Sequence, residues 1–425
     1  MKIYMLILDG AADRKIPALN NKTPLEFAET DALSYLVSRG SQCMIDVIGD
    51  GIIPESDSGA MALLSYSPQK YYPGRGTLEG LGTGCIPNNY NYAAFRVNFA
   101  SYNKETGFLD RRTSRGLSDH ELQSLCYDIN TKVDLSDFDV NFNLIAFGHH
   151  RGILCIYSKY KLLSGNVSNT DPGFRKVGMW GVPVKDYFNV PNKCEALDNT
   201  KEAIFTSQII NEFEKQVYNI LQNHPINVSR ISKGKLPANY LLIRDGGNPP
   251  KEMPPFRNLY NKSLVMFGQL PAEKAIADLI GESFIYSKSL DLQLDKSFLT
   301  NMANRITSST EDIIFIHIKG PDEPGHDNEP MNKVKAIEMI DKFFFKPFIE
   351  KISDKDIVIV TCDHATPCEL KIHSNDKVPL LISGGNIMID SSISFNETEA
   401  YKGKLNITQG VDILPFVMSL RGGNI

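Results

Sequence analysis

The sequence predicts an α/β fold with a mostly parallel sheet flanked by helices, and a smaller α/β domain inserted into it. Near both ends of the chain, short runs of β-branched and apolar residues alternate with helical patterns. The middle of the chain is richer in Tyr, Asn, Gly and Pro. Because 425 residues are too many for one simple hydrophobic core, we expect two domains.

Four apolar runs predict the buried strands of the main sheet: "KIYMLIL" (2–8), "DIIFIHI" (312–318), "DIVIVT" (356–361) and "KVPLLIS" (377–383). Apolar residues recur at helical spacing between the second and third runs, which predicts a helix from about 331 to 350. Strand, loop, helix and strand in this order indicate a βαβ unit.

The inserted domain is predicted from shorter strand-like runs, such as "AAFRVNFAS" and "RGILCIYSK", and from one long helical pattern at 199–224. Segments rich in Pro and Gly near 68–76 and 246–255 would join it to the rest of the chain. We therefore expect a core built from 1–72 and 257–425, with 73–256 as the insert.

The composition excludes several classes of function. A net charge of −5 and a pI of about 6.0 give no basic field for nucleic acid. The first apolar run stops at Asp9 and is too short for a signal peptide, and no run approaches the roughly 20 apolar residues of a membrane span. The 7 cysteines lack CxxC spacing, which argues against a disulfide framework and a zinc ribbon. We expect a cytoplasmic protein with no nucleic-acid or membrane partner.

Carboxylates and imidazoles follow three of the predicted strands or precede the fourth: Asp9, Asp322, His326, Asp363, His364 and His373. A single Asp after a strand is usually a turn or N-cap residue. Here the same residue types recur at several strand ends, and ligands of open α/β sheets gather at that edge. We therefore expect these side chains to converge in one site.

The stretch "IKGPDEPGHDNEP" (318–330) is poor for helix and strand, and predicts a rigid loop that fixes Asp322 and His326. Oxygen and nitrogen ligands without thiolates suit zinc, manganese or magnesium, and six of them fit two ions better than one. Two divalent ions about 4 Å apart can activate a nucleophile and hold the oxygens of a transferring phosphoryl group.

A nucleophile is expected in "IIPESDSGAMALL" (52–64), which contains Ser56 and Ser58. A serine at a helix start is normally only an N-cap. Next to a metal its hydroxyl pKa falls, and the serine becomes a nucleophile. Spacing alone leaves both serines open.

Taken in order, these segments resemble the alkaline phosphatase superfamily, and more closely its archaeal-type cofactor-independent (2,3-bisphosphoglycerate-independent) phosphoglycerate mutases. The resemblance runs nearly end to end, through "LDGAADR", "KTPLEFAETDAL", "ESDSGAMALLSYSP", "YYPGRGTLEGLGTG", "AFRVNFAS", "DRRTSRGL", "NTDP", "PANYLLIRDGG", "IKGPDEPGHD", "TCDHATPCELKIHS" and "VPLLISGG". It implies an alkaline-phosphatase-like core and a reaction that interconverts 2- and 3-phosphoglycerate through a phosphoserine.

The resemblance also implies a set of site residues. One metal would be held by Asp322, His326 and His373, and the other by Asp9, Asp363, His364 and the nucleophile, which aligns with Ser56. The ions would be manganese, zinc, cobalt or magnesium, and 2,3-bisphosphoglycerate would not be needed. The partner would be a small phosphorylated acid, and a homo-oligomer stays open. Candidate substrate-binding residues are Arg96, Arg111, Arg112, Arg115, His150, Arg151, Arg244 and Lys274.

Two positions depart from the family pattern. Ala60 stands where the family usually has a histidine, and Asp245 lies in "RDGG" where the family has a segment like "RGAG". The alternatives are a paralogue acting on another phosphorylated or phosphono acid, a phosphomonoesterase or phosphodiesterase of the superfamily, and a non-catalytic metal-stabilised protein. The arginines of the insert favour a mutase over a hydrolase, because hydrolysis does not require the leaving alcohol to be held.

Overall fold

The computed structural model describes residues 1–49, 51–111, 116–147, 150–184, 186–287 and 295–420. The chain divides into two units. The first contains Met1–Tyr71, Glu252–Gln269 and Ile276–Ile425, and the second contains Tyr72–Lys251 and Leu270–Ala275. The predicted insert began at 73 and ended at 256, and it did not include 270–275.

The strands of the described residues are β1 (Ile3–Leu8), β2 (Gly40–Ile45), β3 (Asn91–Asn103), β4 (Phe108–Asp110), β5 (Asn141–Phe147), β6 (Arg151–Ser158), β7 (Phe174–Val177), β8 (Trp180–Pro183), β9 (Tyr240–Gly247), β10 (Leu264–Gly268), β11 (Ser283–Tyr286), β12 (Ile313–Ile318), β13 (Ile357–Cys362) and β14 (Val378–Gly384).

The α-helices of the described residues are α1 (Pro24–Phe27), α2 (Asp31–Val37), α3 (Ser56–Leu63), α4 (Pro68–Tyr71), α5 (Arg75–Thr83), α6 (Asp119–Lys132), α7 (Lys201–Leu221), α8 (Pro225–Ser232), α9 (Phe256–Tyr260), α10 (Pro271–Leu279), α11 (Lys296–Thr307), α12 (Asp322–Asp327), α13 (Pro330–Ile340), α14 (Lys346–Ile349), α15 (Glu397–Ala400) and α16 (Ile413–Ser419). None of these helices has both the length and the apolar composition of a membrane span.

The first unit is built on a seven-stranded sheet in the order β11-β10-β12-β1-β13-β14-β2. The five strands from β11 to β13 are parallel to one another, which confirms the prediction of a mostly parallel sheet. Every residue of β1, β12 and β13 is buried, as expected of central parallel strands covered on both faces.

One predicted strand departs from the parallel arrangement, because β14 is antiparallel to both β13 and β2. The chain between β13 and β14 (363–377) contains no helix of the described structure. A parallel return needs a long crossover, usually helical, so a strand reached by this irregular segment pairs in the opposite direction. The segment stays at the carboxyl end of β13.

The stretch predicted as a rigid loop contains a short helix, α12, so that prediction was wrong in part. Pro324 lies in the first turn of α12, where a missing N–H costs little. Asp322 and His326 are four residues apart in this helix and therefore share one face. The helix, rather than a loop, sets their spacing.

The helix predicted at about 331–350 is confirmed, although it is not uniform. It consists of α13, a π-helical turn at Asp341–Phe345, and α14. Pro347 follows the widened turn, where it cannot donate to a carbonyl one turn back and its ring needs extra room.

The second unit contains a five-stranded antiparallel sheet in which β3 pairs with β4, β6 and β9, and β5 pairs with β6. Helix α7, predicted at 199–224, contributes Phe213 to a core that includes Phe95 and Val97 of β3. Helix α5 packs against β3 and β9. A separate hairpin, β7–β8, completes the unit's strands in the described residues.

Candidate metal centre

The strand register brings three polar residues together at the carboxyl edge of the main sheet. Leu8 of β1 pairs with Ile318 of β12 and with Cys362 of β13. One residue further along, Asp9, Lys319 and Asp363 therefore lie side by side. Directly opposed residues of neighbouring strands point to the same face of a sheet, so these three side chains lie on one face. Lys319 Nζ lies 3.0 Å from Asp9 Oδ2.

Gly10 allows the loop after β1 to pass close to the other ligand-bearing segments. Its φ is +56°, and a Cβ atom there would lie 2.6 Å from both Asp322 Oδ1 and Thr366 Oγ1. Its N–H donates to Asp363 Oδ1 at 3.1 Å. A side chain at this position would be strained and would collide with the site.

Hydrogen bonds fix the orientation of two histidines from different segments. His326 Nδ1 lies 2.9 Å from the carbonyl of Lys371, and His373 Nδ1 lies 3.2 Å from the carbonyl of Pro54. Since a carbonyl only accepts, Nδ1 carries the proton in each ring and Nε2 is left with a lone pair. The two Nε2 atoms lie 3.2 Å apart, so a proton or a cation is required between them.

His364 is oriented in the same way. Thr366 Oγ1 donates its proton to Asp322 Oδ1 at 2.6 Å, so it accepts from His364 Nδ1 at 3.0 Å. The lone pair of His364 Nε2 then points to Asp363 Oδ2, 3.3 Å away, and to Asp9 Oδ1, 3.5 Å away. A lone pair facing two carboxylate oxygens is repulsive unless a cation lies among them.

The structure distinguishes the two candidate serines. Ser56 Oγ lies 3.4 Å from both Asp9 Oδ1 and His364 Nε2. Ser58 is engaged in capping α3 instead: its Oγ donates to the carbonyl of Glu55 and accepts from the N–H of Glu55. Only Ser56 therefore contacts the carboxylate–histidine cluster in these hydrogen bonds.

The charges of the cluster shift its pKa values in opposite directions. Burial raises the pKa of the Asp9 carboxyl, but the positive charge of Lys319, with a hydrogen bond from His317, outweighs it, and the pKa lies well below its usual range. Burial lowers the pKa of His373, yet the nearby carboxylates, Glu55 foremost, raise it to about 9. The cluster therefore attracts positive charge, whether a proton or a metal ion.

The donor atoms fit divalent cations. Ligand atoms of Asp322, His364 and His373 lie within 4.8 Å of one another, and so do those of Asp9, His317 and Asp363. His326 Nε2 reaches the first group, 3.4 Å from Asp322 Oδ2. All are carboxylate oxygens or imidazole nitrogens, the donors that manganese, zinc, cobalt and magnesium accept. All six predicted ligands thus converge, and His364 lies between the two groups.

A buried lysine holds two of the ligand-bearing loops together. Lys333 of α13 is fully buried, and its Nζ donates to the carbonyls of Ala12 and Thr366, at 3.2 Å and 2.8 Å. It also pairs with Asp13 Oδ2 at 2.9 Å, and Asp13 in turn accepts from the N–H of Cys368. The loops after β1 and β13 are therefore fastened at one point.

His317 and Lys319 belong to the cluster but were not predicted. His317 Nε2 lies 3.1 Å from Asp363 Oδ2 and 3.3 Å from Asp9 Oδ1. The sequence contained a signal, since residues two apart at the end of a strand point to the same face.

In the second unit, three of the predicted arginines lie in one charge cluster. Arg244 binds Asp245 Oδ2 at 2.8 Å and lies 3.9 Å from Asp171 Oδ2, which Arg111 binds at 2.8 Å. Arg96 lies 3.7 Å from Asp245 Oδ2. Such densely packed guanidinium groups form an anion-binding set when the acids do not neutralise them fully.

The cluster also contains residues that the sequence did not single out. Glu79 joins Arg75 and Arg96, at 2.9 Å and 3.1 Å. Burial, followed by the charge of Arg75, lowers the pKa of Arg96 to about 10. At Asp245, where the chain departs from the family pattern, the carboxylate lies between two arginines. The backbone of this residue has a left-handed φ of +54°. Ala60, the other departure, is buried in α3.

The remaining predicted substrate-binding residues lie elsewhere or outside the described residues. Arg151 begins β6 opposite Asn98 of β3 and is exposed. His150 precedes it, and its carbonyl accepts from the N–H of Phe99. Lys274 lies in the first turns of α10. Arg112 and Arg115 lie outside the described residues.

The fold and the site define an α/β protein with a candidate divalent-cation centre beside a serine hydroxyl. A family model described as 2,3-bisphosphoglycerate-independent phosphoglycerate mutase matches residues 38–227. Proteins of that name from Aeropyrum pernix and Pyrococcus furiosus are 35% and 33% identical to this chain. The alignments cover 100% of both chains for the first, and 99% of this chain and 97% of the relative for the second. The chain belongs to the family of 2,3-bisphosphoglycerate-independent phosphoglycerate mutases.

Solved structures are similar to this chain over nearly its whole length. A protein from Pyrococcus horikoshii is similar with a TM-score of 0.79 and 28% identity, over 99% of this chain and 97% of that one. The cofactor-independent phosphoglycerate mutase from Thermoplasma acidophilum has a TM-score of 0.61 and 26% identity, over 99% of this chain and 100% of its own.

Proposed function

We propose that this protein is a phosphoglycerate mutase that interconverts 2- and 3-phosphoglycerate through a phosphoserine at Ser56. The observation that carries the proposal is the place of Ser56 Oγ, 3.4 Å from both Asp9 Oδ1 and His364 Nε2 in a cluster that attracts cations. The names of its full-length relatives support the substrate.

Two divalent cations, of manganese, zinc, cobalt or magnesium, would occupy the centre. Asp322, His326 and His373 would hold one, and the other would be held by Asp9, Asp363, His364 and Ser56. When bound, they would lower the pKa of the serine hydroxyl and neutralise charge on the phosphoryl oxygens.

Ser56 performs the first transfer. Its Oγ attacks phosphorus, and the new Oγ–P bond forms as the bond from phosphorus to the substrate oxygen breaks. Ser56 is the first residue of α3, where the helix dipole favours the negative charge of a phosphoserine. The proton that Oγ loses is taken by the first leaving oxygen. The second hydroxyl of the glycerate then attacks the same phosphorus, the Oγ–P bond breaks, and the proton that this hydroxyl loses returns to Oγ.

The arginine cluster retains glycerate, which a mutase requires and a phosphatase does not. Glycerate must stay bound while Ser56 carries the phosphoryl group, or water will take its place. Arg96, Arg111 and Arg244 offer guanidinium groups for its carboxylate. We assign retention of the acid to this set.

A substrate assay with the manganese-loaded protein tests the proposal. With 3-phosphoglycerate, we expect 2-phosphoglycerate as the main product and little free phosphate. Exhaustive treatment with EDTA should abolish turnover, and manganese or cobalt should restore it. Release of phosphate at nearly every turnover would show a hydrolase, and full activity after chelation would exclude the cation centre from catalysis.

A further inference from the structure

We propose that Lys319 is a catalytic residue whose ammonium group binds the phosphoryl group during its transfer to and from Ser56. This inference rests on the proposed function and adds a protein cation to the two metal ions of the centre. It assigns a role to a residue that the ligand set does not require.

The position of Lys319 follows from the fold. It is the first residue after β12, and the register places it directly beside Asp9 of β1. The N–H of Asp9 donates to the carbonyl of Ile318 at 3.0 Å, which holds the two strand ends together. The backbone of Lys319 is thereby fixed at the edge of the sheet where the ligands converge.

The ammonium group lies at the nucleophile. Lys319 Nζ is 3.4 Å from Ser56 Oγ and 3.0 Å from Asp9 Oδ2. The side chain of Lys319 is 23% exposed, whereas that of Asp9 is only 4% exposed. The side chain of Lys319 is therefore less enclosed than the carboxylate with which it pairs, and its amine lies within reach of a group bonded to Ser56 Oγ.

This geometry suits a group that gains charge. When Oγ bonds to phosphorus and the substrate P–O bond breaks, a phosphoryl dianion replaces a serine hydroxyl close to the ammonium. The non-bridging oxygens of phosphorus lie further out from Oγ, so they come within reach of Nζ. Lysine acts as a point charge in such sites, so this role requires no proton transfer to or from it. The reverse step has the same electrostatics.

A purely structural role is the alternative, in which Lys319 only neutralises Asp9. The two roles predict different results for Lys319→Met. Loss of a phosphoryl contact lowers kcat and the amount of phosphoenzyme, and it leaves cation binding intact. Loss of a structural partner of Asp9 changes cation binding instead, because Asp9 is a proposed ligand.

The test compares wild type, Lys319→Met, Lys319→Arg and the control Lys335→Met, which changes an exposed lysine of α13. Bound manganese is counted after gel filtration, phosphoenzyme is measured after acid quenching with labelled 3-phosphoglycerate, and kcat and KM are determined separately. We expect Lys319→Met to lower kcat roughly 100-fold or more, the size of effect of one preorganised charge-stabilising group. KM should change little, bound manganese should equal that of wild type, and Lys319→Arg should recover part of kcat.

The outcomes separate this inference from the proposed function. A wild type that forms no phosphoenzyme would refute the proposed function and this inference with it. A wild type that forms phosphoenzyme, with Lys319→Met forming it at the same rate, would overturn this inference alone. Loss of manganese in Lys319→Met would also overturn it, since Lys319 would then act through the ligand Asp9.

Discussion

Replacing Lys333 by methionine should destabilise the first unit and weaken its binding of divalent cations. Methionine keeps most of the aliphatic stem and removes the ammonium group. Three contacts disappear: the ion pair with Asp13, and hydrogen bonds to the carbonyls of Ala12 and Thr366. Since these residues belong to the loops after β1 and β13, the proposed metal ligands on both loops lose a shared anchor.

The expected loss of unfolding free energy follows from the charge that the variant leaves without a partner. Lys333 and Asp13 are 0% and 1% exposed, so the variant leaves a buried carboxylate without its cation. Breaking a buried pair in this way costs about 3–5 kcal/mol. Asp13 keeps hydrogen bonds from the N–H groups of Arg14 and Cys368, which favours the lower part of that range. Removing both charges, in Lys333→Met with Asp13→Asn, should cost less than the sum of the single changes.

The assay is urea denaturation of the metal-free protein, followed by circular dichroism. The single tryptophan, Trp180, lies in the second unit, so its fluorescence reports that unit separately. Lys335→Met is the control and should stay within about 0.5 kcal/mol of wild type. Titration with manganese then measures cation affinity in the folded variant. If Lys333→Met had an unfolding free energy within about 1 kcal/mol of wild type and unchanged affinity, the anchoring argument would be wrong.

Three further predictions concern the serines, the arginines and pH. Ser56→Ala should abolish the phosphoenzyme and turnover, whereas Ser58→Ala should remove only a helix cap, costing about 1 kcal/mol of stability; mass spectrometry of quenched protein that locates phosphate on Ser58 would contradict this. Arg244→Ala should lower mutase activity by about 2–5 kcal/mol in transition-state terms and raise the ratio of phosphate released to phosphoglycerate isomerised, and an unchanged ratio would count against retention. Burial raises the pKa of Glu214 from 4.5 to about 8, although Thr170 donates a hydrogen bond to it. Because the folded state holds this proton more tightly, the unfolding free energy should fall as pH rises between these values, and Glu214→Gln should flatten that slope in denaturation curves.

The sequence by itself determined the central strands and brought out the candidate ligands that lie together at their ends. The run "IYMLIL" and the "IVIV" of "IVIVTC" are continuous apolar stretches, and every position of both strands is buried, as expected of strands covered on both faces. To predict that the acids and histidines after these strands lie close together, only one further rule was needed: parallel strands end at the same edge of a sheet. All six predicted ligands do converge there, because the register of β1 with β12 and β13 is set by the strands themselves.

Sequence spacing alone did not distinguish Ser56 from Ser58, and the tertiary structure decided between them. Both lie in the first turn of α3. Ser56 contacts Asp9 and His364, which are 47 and 308 positions away in the chain, whereas Ser58 bonds to Glu55 only three residues away. Local sequence can predict the second contact but not the first.

Lys333 shows the same limit for charged residues. In α13 it is followed two positions later by Lys335, and residue type alone does not distinguish the two lysines. The structure buries the first completely and exposes the second. Lys333 can be buried because Asp13 and two loop carbonyls lie at one point of the helix surface. A buried ammonium is stable only where such acceptors surround it. Those acceptors come from residues more than 30 positions away, and only the folded chain brings them together.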